Sequence, residues 1–207
     1  MTYYEFYFNH TKEYDELKSI FSNINEYTHD HSKNIKFNLS SGDITSGIKW
    51  IWASNRFTLN YFQRFFDSIN LEKKLKTFCD ADFIIRGASF IVLEQSKVEN
   101  SEFHYDAFSH YDTSDTNILT IIFPLYKIDE TLGNLEYKGE EDINVYKYHP
   151  NKIIVWDSSK FLHRTQPYQT DIIYKRVLVS VNLSTDQEWA INTINLSLKH
   201  QGNILWI

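Results

Sequence analysis

The 207-residue sequence contains very little cysteine, proline or glycine. Its single cysteine, Cys79, excludes an intrachain disulfide and a cysteine-rich zinc site, which is typical of a protein from a reducing compartment. Only 3 prolines and 6 glycines are present, which argues against long flexible linkers and against two domains. No apolar run approaches the roughly 20 residues that a membrane-spanning helix requires, and the N-terminus lacks the features of a signal peptide. We therefore expect one soluble, cytoplasmic domain without a membrane partner.

Several common chemistries also lack support in the sequence. The net charge of −6 argues against broad binding to the phosphate backbone of nucleic acids. There is no glycine-rich phosphate loop, no Gly-x-Ser-x-Gly turn, and no histidine near Cys79 in sequence. Nucleotide hydrolysis and acyl transfer by a nucleophilic serine are therefore not expected.

The first 81 residues predict a mixture of helices and short strands. Residues 12–27 have acids in the first turn and apolar residues at helical spacing, and Thr11 is a suitable N-cap. Residues 57–78 carry an aromatic stripe at spacings of three and four, with Asn70 placed to divide the helix by capping a second one. Alternating apolar residues predict strands at 3–8, 35–39 and 48–52. We expect this segment to support a sheet formed by the rest of the chain.

From residue 82 to residue 183 the pattern becomes one of strands with no helix between them. Such a pattern is typical of an antiparallel sandwich or barrel. In residues 184–207, Ile194, Leu196 and Leu198 alternate with polar residues and a turn at Gln201 to Asn203 follows, so we expect a docked C-terminal segment. The predicted strands of the central region are 83–86, 89–94, 118–126, 144–148, 152–156 and 172–183.

One set of residues suggests a metal site. In a strand, residues two apart point to the same face, so His104 and Asp106 can act together. His163 follows the apolar strand 152–157 and can supply a third ligand from a distant part of the chain. Two imidazoles and one carboxylate form the facial triad that holds a divalent iron and leaves the other positions open.

Arg176 opens an apolar strand that follows His163. By alternation it shares a face with Leu178, Ser180 and Asn182, while the intervening residues form the opposite face. Burying an arginine on the inner face of a barrel costs free energy unless an anion pairs with it. The planar guanidinium group can form two hydrogen bonds with a carboxylate. Lys175 is the alternative cation, but it points to the other face.

The segment from about Phe83 to Leu183 resembles the double-stranded β-helix core of the Fe(II)- and 2-oxoglutarate-dependent oxygenases. Within that superfamily it is most similar to the prolyl-hydroxylase-like and phytanoyl-hydroxylase-like members. Asn151 stands where many relatives have glycine, and Leu178 stands where many have serine. The matching motifs are His104-x-Asp106, Gly133-Asn134-Leu135-Glu136-Tyr137, Pro150-Asn151-Lys152-Ile153-Ile154-Val155-Trp156-Asp157, His163-Arg164-Thr165-Gln166-Pro167 and Arg176-x-Leu178.

The resemblance implies a mainly β fold with flanking helices, namely a double-stranded β-helix, or jelly-roll, barrel of the cupin-like kind. It implies that His104, Asp106 and His163 bind Fe(II), and that Arg176 binds the far carboxylate of 2-oxoglutarate. Dioxygen would then be used to hydroxylate an unactivated C–H bond, with release of succinate and carbon dioxide. Hydroxylation is the expected outcome because halogenating relatives have a small residue in place of Asp106.

Alternative ligands are also present in the sequence. His110-Tyr111-Asp112 repeats the first ligand motif six residues later, but we prefer His104 and Asp106 because a polar loop is expected to follow the pair. His29-Asp30-His31 lies in a polar stretch without an obvious third partner, so a solvated loop is the simpler interpretation. The isolated His10, His149 and His200 are expected to have surface or packing roles.

The substrate is open between a small molecule and a peptide or protein side chain. Gln95, Tyr105 and Asn117 are candidates for substrate contacts, while Trp156 and Trp189 are expected to pack in the core. Two other functions compete with the oxygenase. One is a non-enzymatic jelly-roll binding module for a sugar or peptide, and the other is a cupin-like metalloenzyme that does not use 2-oxoglutarate. The oligomeric state does not follow from the sequence.

Overall fold

The structure, a computed structural model, describes residues 3–29, 34–41, 47–77, 79–99, 101–107 and 115–202. These residues form ten strands and five helices in a mainly β arrangement. The elements in chain order are β1 Tyr3–Tyr7, α1 Lys12–Ser22, α2 Ile24–His29, β2 Phe37–Ser41, β3 Ile48–Ala53, α3 Arg56–Ser68, α4 Leu71–Leu75, β4 Ile84–Val98, β5 Ile118–Pro124, β6 Leu135–Lys138, β7 Ile143–Tyr146, β8 Lys152–Asp157, β9 His163–Thr165, β10 Tyr168–Ser184 and α5 Glu188–His200.

The strands form two antiparallel sheets. The larger sheet has seven strands in the order β1-β8-β5-β10-β4-β3-β2, and the smaller one has three in the order β7-β6-β9. The double-stranded β-helix architecture expected from the sequence is confirmed, but the described strands do not close into a hydrogen-bonded barrel. β1, β2 and β3 belong to the large sheet, so the first 81 residues supply three of its strands as well as helices.

Helices α1, α3 and α4 pack against one face of the large sheet, whereas α5 packs with Trp52 and Ile118 on the other face. Thr11 and Asn55 cap α1 and α3, because their side-chain oxygens accept hydrogen bonds from the backbone N–H groups of Tyr14 and Thr58. The aromatic stripe of α3 is buried, and Phe65 contacts Phe123 of β5 with ring centroids 5.1 Å apart. The opposite face of the central strands is therefore free to form a second core and a cavity.

Asn70 divides the second predicted helix, as expected, but by a different means. Its side chain makes no capping hydrogen bond, and its φ of 53° instead places the backbone in the left-handed region, which ends α3 before α4 begins. The first predicted helix is also interrupted, at Asn23, where the Asn23 side-chain amide donates to the Ser19 carbonyl.

The central and C-terminal strands differ from the sequence pattern in two places. The two strands predicted between 83 and 94 are a single strand, β4, with an irregularity in its pairing with β10 at Asn182 and Leu183. The alternation near the C-terminus does not produce a strand, because residues 188–200 form α5. Ile194 and Leu198, four residues apart, are buried, whereas Leu196 is 58% exposed.

Candidate metal centre and cavity

His104 and His163 are brought together by a short backbone bridge. The His104 N–H donates to the His163 carbonyl at 2.9 Å, and the His163 N–H donates to the His104 carbonyl at 3.0 Å. Residues that face each other in such a pair have side chains on the same side, and the two imidazole centroids lie 4.6 Å apart. His104 therefore lies in an isolated bridge and not in an extended strand as the sequence had suggested.

Asp106 completes a cluster of three potential ligands. Its Oδ1 lies 3.6 Å from His163 Nε2 and 3.9 Å from His104 Nε2. One ligand atom from each side chain lies within 4.8 Å of the others. Within the described part of the chain, this is the sole group of three or more His, Cys, Asp or Glu side chains that can hold a metal ion.

Backbone carbonyls set the tautomer of both histidines. His104 Nδ1 lies 3.0 Å from the Glu102 carbonyl, and His163 Nδ1 lies 2.9 Å from the Phe161 carbonyl. A carbonyl only accepts, so each Nδ1 carries a hydrogen, and Nε2, which lies near Asp106, is the ring nitrogen that can bind a metal. This arrangement is typical of metal-binding histidines, whose second nitrogen is fixed by a neighbouring acceptor.

The environment of His163 favours the neutral form that a metal requires. The side chain is buried, and this burial lowers its pKa despite the nearby Asp106 carboxylate, while His104 lowers the pKa further. A neutral imidazole at physiological pH is thus available without prior loss of a proton.

Asp106 is held by a buried tryptophan. Trp156 Nε1 donates to Asp106 Oδ2 at 3.0 Å, while the indole stacks on Phe161 with centroids 5.0 Å apart. Because Oδ2 is engaged in this way, Oδ1 faces the two imidazoles. Trp156 does pack in the core, as expected, but the sequence pattern did not reveal its contact with Asp106.

Arg176 lies on the cavity face of β10, with a relative exposure of only 2%. One of its terminal nitrogens donates to the Gly133 carbonyl, and its guanidinium lies 5.5 Å from the centre of the Tyr148 ring. Nε has no hydrogen-bond partner, and among the described residues no carboxylate forms an ion pair with this guanidinium. A buried cation in this state can bind an anionic ligand.

The three clustered side chains and Arg176 line one cavity. The sequence did not single out Tyr148, Thr165 or Gln201 as members, since their positions depend on pairing between distant strands. The lining combines apolar and polar side chains, and the remaining residues are Ile48, Trp50, Ile91, Ile122, Leu135, Leu178, Ser180 and Asn182.

The predicted substrate contacts lie elsewhere or outside the lining. The side-chain amide of Gln95 lies against Gly47. The backbone carbonyl of Gln95 accepts a hydrogen bond from the Tyr168 hydroxyl. Asn117 accepts from the Thr185 hydroxyl at 2.9 Å, and Tyr105 is half-buried between the two ligand residues. None of the three is among the residues that line the cavity, and their roles stay predictions.

The alternative histidines divide into two groups. His110 and Asp112, and also Asp30 and His31, lie outside the described residues. His10 pairs with Asp15 at 2.8 Å, and His149 pairs with Glu130 at 3.3 Å, as surface histidines do.

Comparisons with known proteins bear on the fold. No protein-family model and no curated protein sequence matches this chain. Solved structures do match: a prolyl hydroxylase from Trichoplax adhaerens in complex with a hypoxia-inducible-factor peptide is 15% identical with a TM-score of 0.60, covering 91% of this chain and 86% of that one. The α-ketoglutarate-dependent epimerase SnoN from nogalamycin biosynthesis is 9% identical with a TM-score of 0.61, covering 88% and 77%.

A third match is HygX from Streptomyces hygroscopicus, whose structure contains nickel and 2-oxoglutarate. It is 8% identical with a TM-score of 0.57, covering 89% of this chain and 83% of that one. Within the described residues of the present chain, no helix is long and apolar enough to cross a membrane. At these identities the likeness establishes the fold, which is the double-stranded β-helix fold of the Fe(II)- and 2-oxoglutarate-dependent oxygenases.

Proposed function

We propose that the protein is an Fe(II)- and 2-oxoglutarate-dependent dioxygenase that hydroxylates an unactivated C–H bond. The observation that carries this proposal is the pairing, in one cavity, of the His104, Asp106 and His163 cluster with the buried Arg176 guanidinium. A binding module has no need for three convergent ligand atoms, and a metalloenzyme of another kind has no need for a buried guanidinium without an anion.

The ligand cluster fits a divalent iron. Two neutral imidazole nitrogens and one carboxylate oxygen are the donor set of the non-haem iron triad, and all three come from side chains whose orientation is fixed by other contacts. The identity of these three residues as the ligands is a proposal that rests on the separations of 3.6 Å and 3.9 Å to Asp106 Oδ1.

The other end of the cavity fits the second carboxylate of 2-oxoglutarate. Arg176 can offer its unpartnered Nε, and Tyr148 can offer a hydroxyl that burial keeps protonated, since its pKa is raised to about 12. Fe(II), Arg176 and Asp106 together carry a double positive charge, which the dianion neutralises. A monoanion would leave a buried charge uncompensated.

Bound Fe(II) supplies the activation of dioxygen, coupled to the oxidative decarboxylation of 2-oxoglutarate. In the overall reaction one oxygen atom enters the substrate C–H bond to give an alcohol, and the other enters succinate as carbon dioxide leaves. The chain contributes the positions of the reactants: Arg176 and Tyr148 fix the co-substrate, Trp156 fixes Asp106, and the apolar wall of Ile91, Ile122 and Leu178 excludes bulk water.

The substrate class is proposed as a small molecule or a peptide or protein side chain. The matched structures support both, since one holds a peptide and another is named as an epimerase from a natural-product pathway. Hydroxylation is favoured over halogenation because Asp106 is a carboxylate and occupies the position at which a small residue would leave room for chloride.

An anaerobic ultraviolet–visible titration tests the proposal. Adding Fe(II) and 2-oxoglutarate to the wild type is expected to produce a weak visible charge-transfer band, which the His163→Ala variant lacks. The His149→Ala variant is the matched control, because His149 is a surface histidine paired with Glu130 and should leave the band intact. A folded wild type that gives no band with both ligands present would exclude the oxygenase and favour the binding module.

A further inference from the structure

Besides Arg176 Nε, two buried polar atoms on the cavity face of the large sheet have no hydrogen-bond partner. They are Asn182 Oδ1 on β10 and Ser89 Oγ on β4, in side chains that are 4% and 0% exposed. A buried acceptor or hydroxyl without a partner costs free energy, and native proteins rarely leave such groups uncompensated. The proposed iron and 2-oxoglutarate sites use neither atom.

The pairing of the strands places the two side chains in one patch. Ser180 is opposite Ser89, and Asn182 is opposite Gly87, so all of these residues share the face that carries Arg176 and Leu178. Ser89 and Asn182 are diagonal neighbours whose backbones are about 7–8 Å apart. Asn182 is among the residues that line the cavity, whereas Ser89 is fully buried on the same face and is not part of the lining. The register of β4 and β10 shifts immediately after Asn182, and such irregularities commonly redirect side chains beside active sites.

The Asn182 side chain is anchored through its nitrogen. Nδ2 donates to Thr120 Oγ1 at 3.3 Å, and Thr120 in turn shares a 2.8 Å hydrogen bond with Ser158 Oγ. The carbonyl of Ser158 accepts from the Ala107 N–H at 3.1 Å, which ties this network to the residue after Asp106. The amide is thus held beside the proposed metal centre with its oxygen unused.

The same ligand cannot occupy both this patch and Arg176 if it is 2-oxoglutarate. Asn182 lies six residues beyond Arg176 on β10, which corresponds to about 20 Å at the rise of a strand. A five-carbon dicarboxylate anchored on Arg176 is far shorter than this. The patch is therefore left for a second ligand, and the substrate is the second ligand that the reaction requires.

The chemistry of the patch selects a neutral group. Asn182 Oδ1 only accepts, whereas Ser89 Oγ can both accept and donate. The neighbouring cavity wall is apolar, formed by Trp50, Ile91 and Leu178, and the carboxylate that lines the cavity, Asp106, belongs to the proposed metal site. A charged group would be desolvated there without a counter-ion, while a hydroxyl or an amide N–H would donate to the unpartnered Asn182 oxygen.

We propose that Asn182 forms a subsite that binds a neutral hydroxyl or amide group of the substrate, next to an apolar part of the same molecule. This inference deepens the proposed function and rests on it for the identity of the ligand as substrate. The hydrogen bond from the bound group to Asn182 Oδ1 is the specific interaction.

Matched probe pairs test the subsite without knowledge of the substrate. Benzyl alcohol and benzyl methyl ether are titrated in parallel, as are N-methylacetamide and N,N-dimethylacetamide, by saturation-transfer NMR. The samples are the metal-free protein and the Zn(II)-loaded protein with 2-oxoglutarate. We expect the donor of each pair to bind roughly tenfold more tightly than its methylated partner, the difference that one hydrogen bond of about 1.4 kcal/mol provides.

Variants test whether Asn182 causes the preference for the hydrogen-bond donor of each pair. Asn182→Leu is expected to abolish it while leaving 2-oxoglutarate binding unchanged, and Asn144→Leu, at an exposed asparagine of β7, is expected to preserve it. If Asn182→Leu does not fold, Asn182→Ser is measured in its place. Equal binding of donors and methylated partners in the wild type, or a preference that survives in the Asn182 variant, would overturn the subsite.

The same samples separate this inference from the proposed function. Resonances of 2-oxoglutarate report directly whether the co-substrate binds with the metal. Loss of that binding with a retained donor preference would overturn the oxygenase and leave the subsite standing. Co-substrate binding without any donor preference would overturn the subsite and leave the oxygenase standing.

Discussion

Trp156 Nε1 donates a hydrogen bond to Asp106 Oδ2 at 3.0 Å, and this contact determines which carboxylate oxygen faces the two histidines. The indole is itself fully buried between Phe161 and His163, with centroids 5.0 Å and 4.9 Å away. A core aromatic residue therefore also orients a proposed metal ligand.

The first prediction is that Trp156→Phe weakens Fe(II) binding about 10- to 100-fold, the usual effect of losing a group that orients a ligand. Phenylalanine keeps the stacking on Phe161 but cannot donate to Asp106. Anaerobic calorimetry with Fe(II) measures the change, and Trp189→Phe is the control because Trp189, a residue of α5, packs against a different hydrophobic cluster. Unchanged affinity in a folded Trp156→Phe variant would show that Asp106 is positioned without the indole.

A second prediction concerns the carboxylate itself. Asp106→Ala is expected to abolish or greatly reduce 2-oxoglutarate-dependent hydroxylation, because it removes one of three ligand atoms and the negative charge that attracts the cation. Succinate formation and bound iron are measured together. Full turnover by this variant would contradict the role of Asp106, whereas bound iron without turnover would indicate that the two histidines retain the metal alone.

A third prediction separates Arg176 from its neighbour. Arg176→Gln is expected to weaken 2-oxoglutarate binding roughly 10- to 100-fold, the range for losing hydrogen bonds to a charged group, with little effect on Fe(II) binding. Lys175→Gln is the matched control, because Lys175 is an exposed cation on the other face, 3.5 Å from Glu94. Titration of iron-loaded protein measures both affinities. A similar loss in both variants would indicate a general electrostatic effect in place of a specific carboxylate contact.

The site was predictable from sequence where the information is local or periodic. The alternation from Arg176 to Asn182 along β10 predicts which side chains share a face, and these residues line one cavity. His104 and Asp106 line it too, although His104 lies in an isolated bridge and not in the strand from which their shared face was predicted. The contacts of Trp156, Tyr148 and Ser89 depend on the register between strands far apart in the chain, which no local pattern encodes. The alternation of Ile194, Leu196 and Leu198 resembles that of a strand, but the three residues lie in α5, where Leu196 is exposed.

The last prediction concerns Asn151, whose φ of 58° lies in the left-handed region. Glycine adopts this conformation without a steric penalty and asparagine tolerates it, so both residues suit the position. Asn151→Gly is expected to leave stability nearly unchanged, whereas Asn151→Val should lower the free energy of unfolding by about 1–2 kcal/mol. Urea denaturation measures both, with Asn144→Val in β7 as the control for introducing valine. Equal stabilities for the glycine and valine variants at Asn151 would show that the turn relaxes to a negative φ. In that case the turn before β8, where the Asn151 carbonyl accepts from the Phe8 N–H at 2.9 Å, would be held by pairing with the N-terminal strand and not by its own conformation.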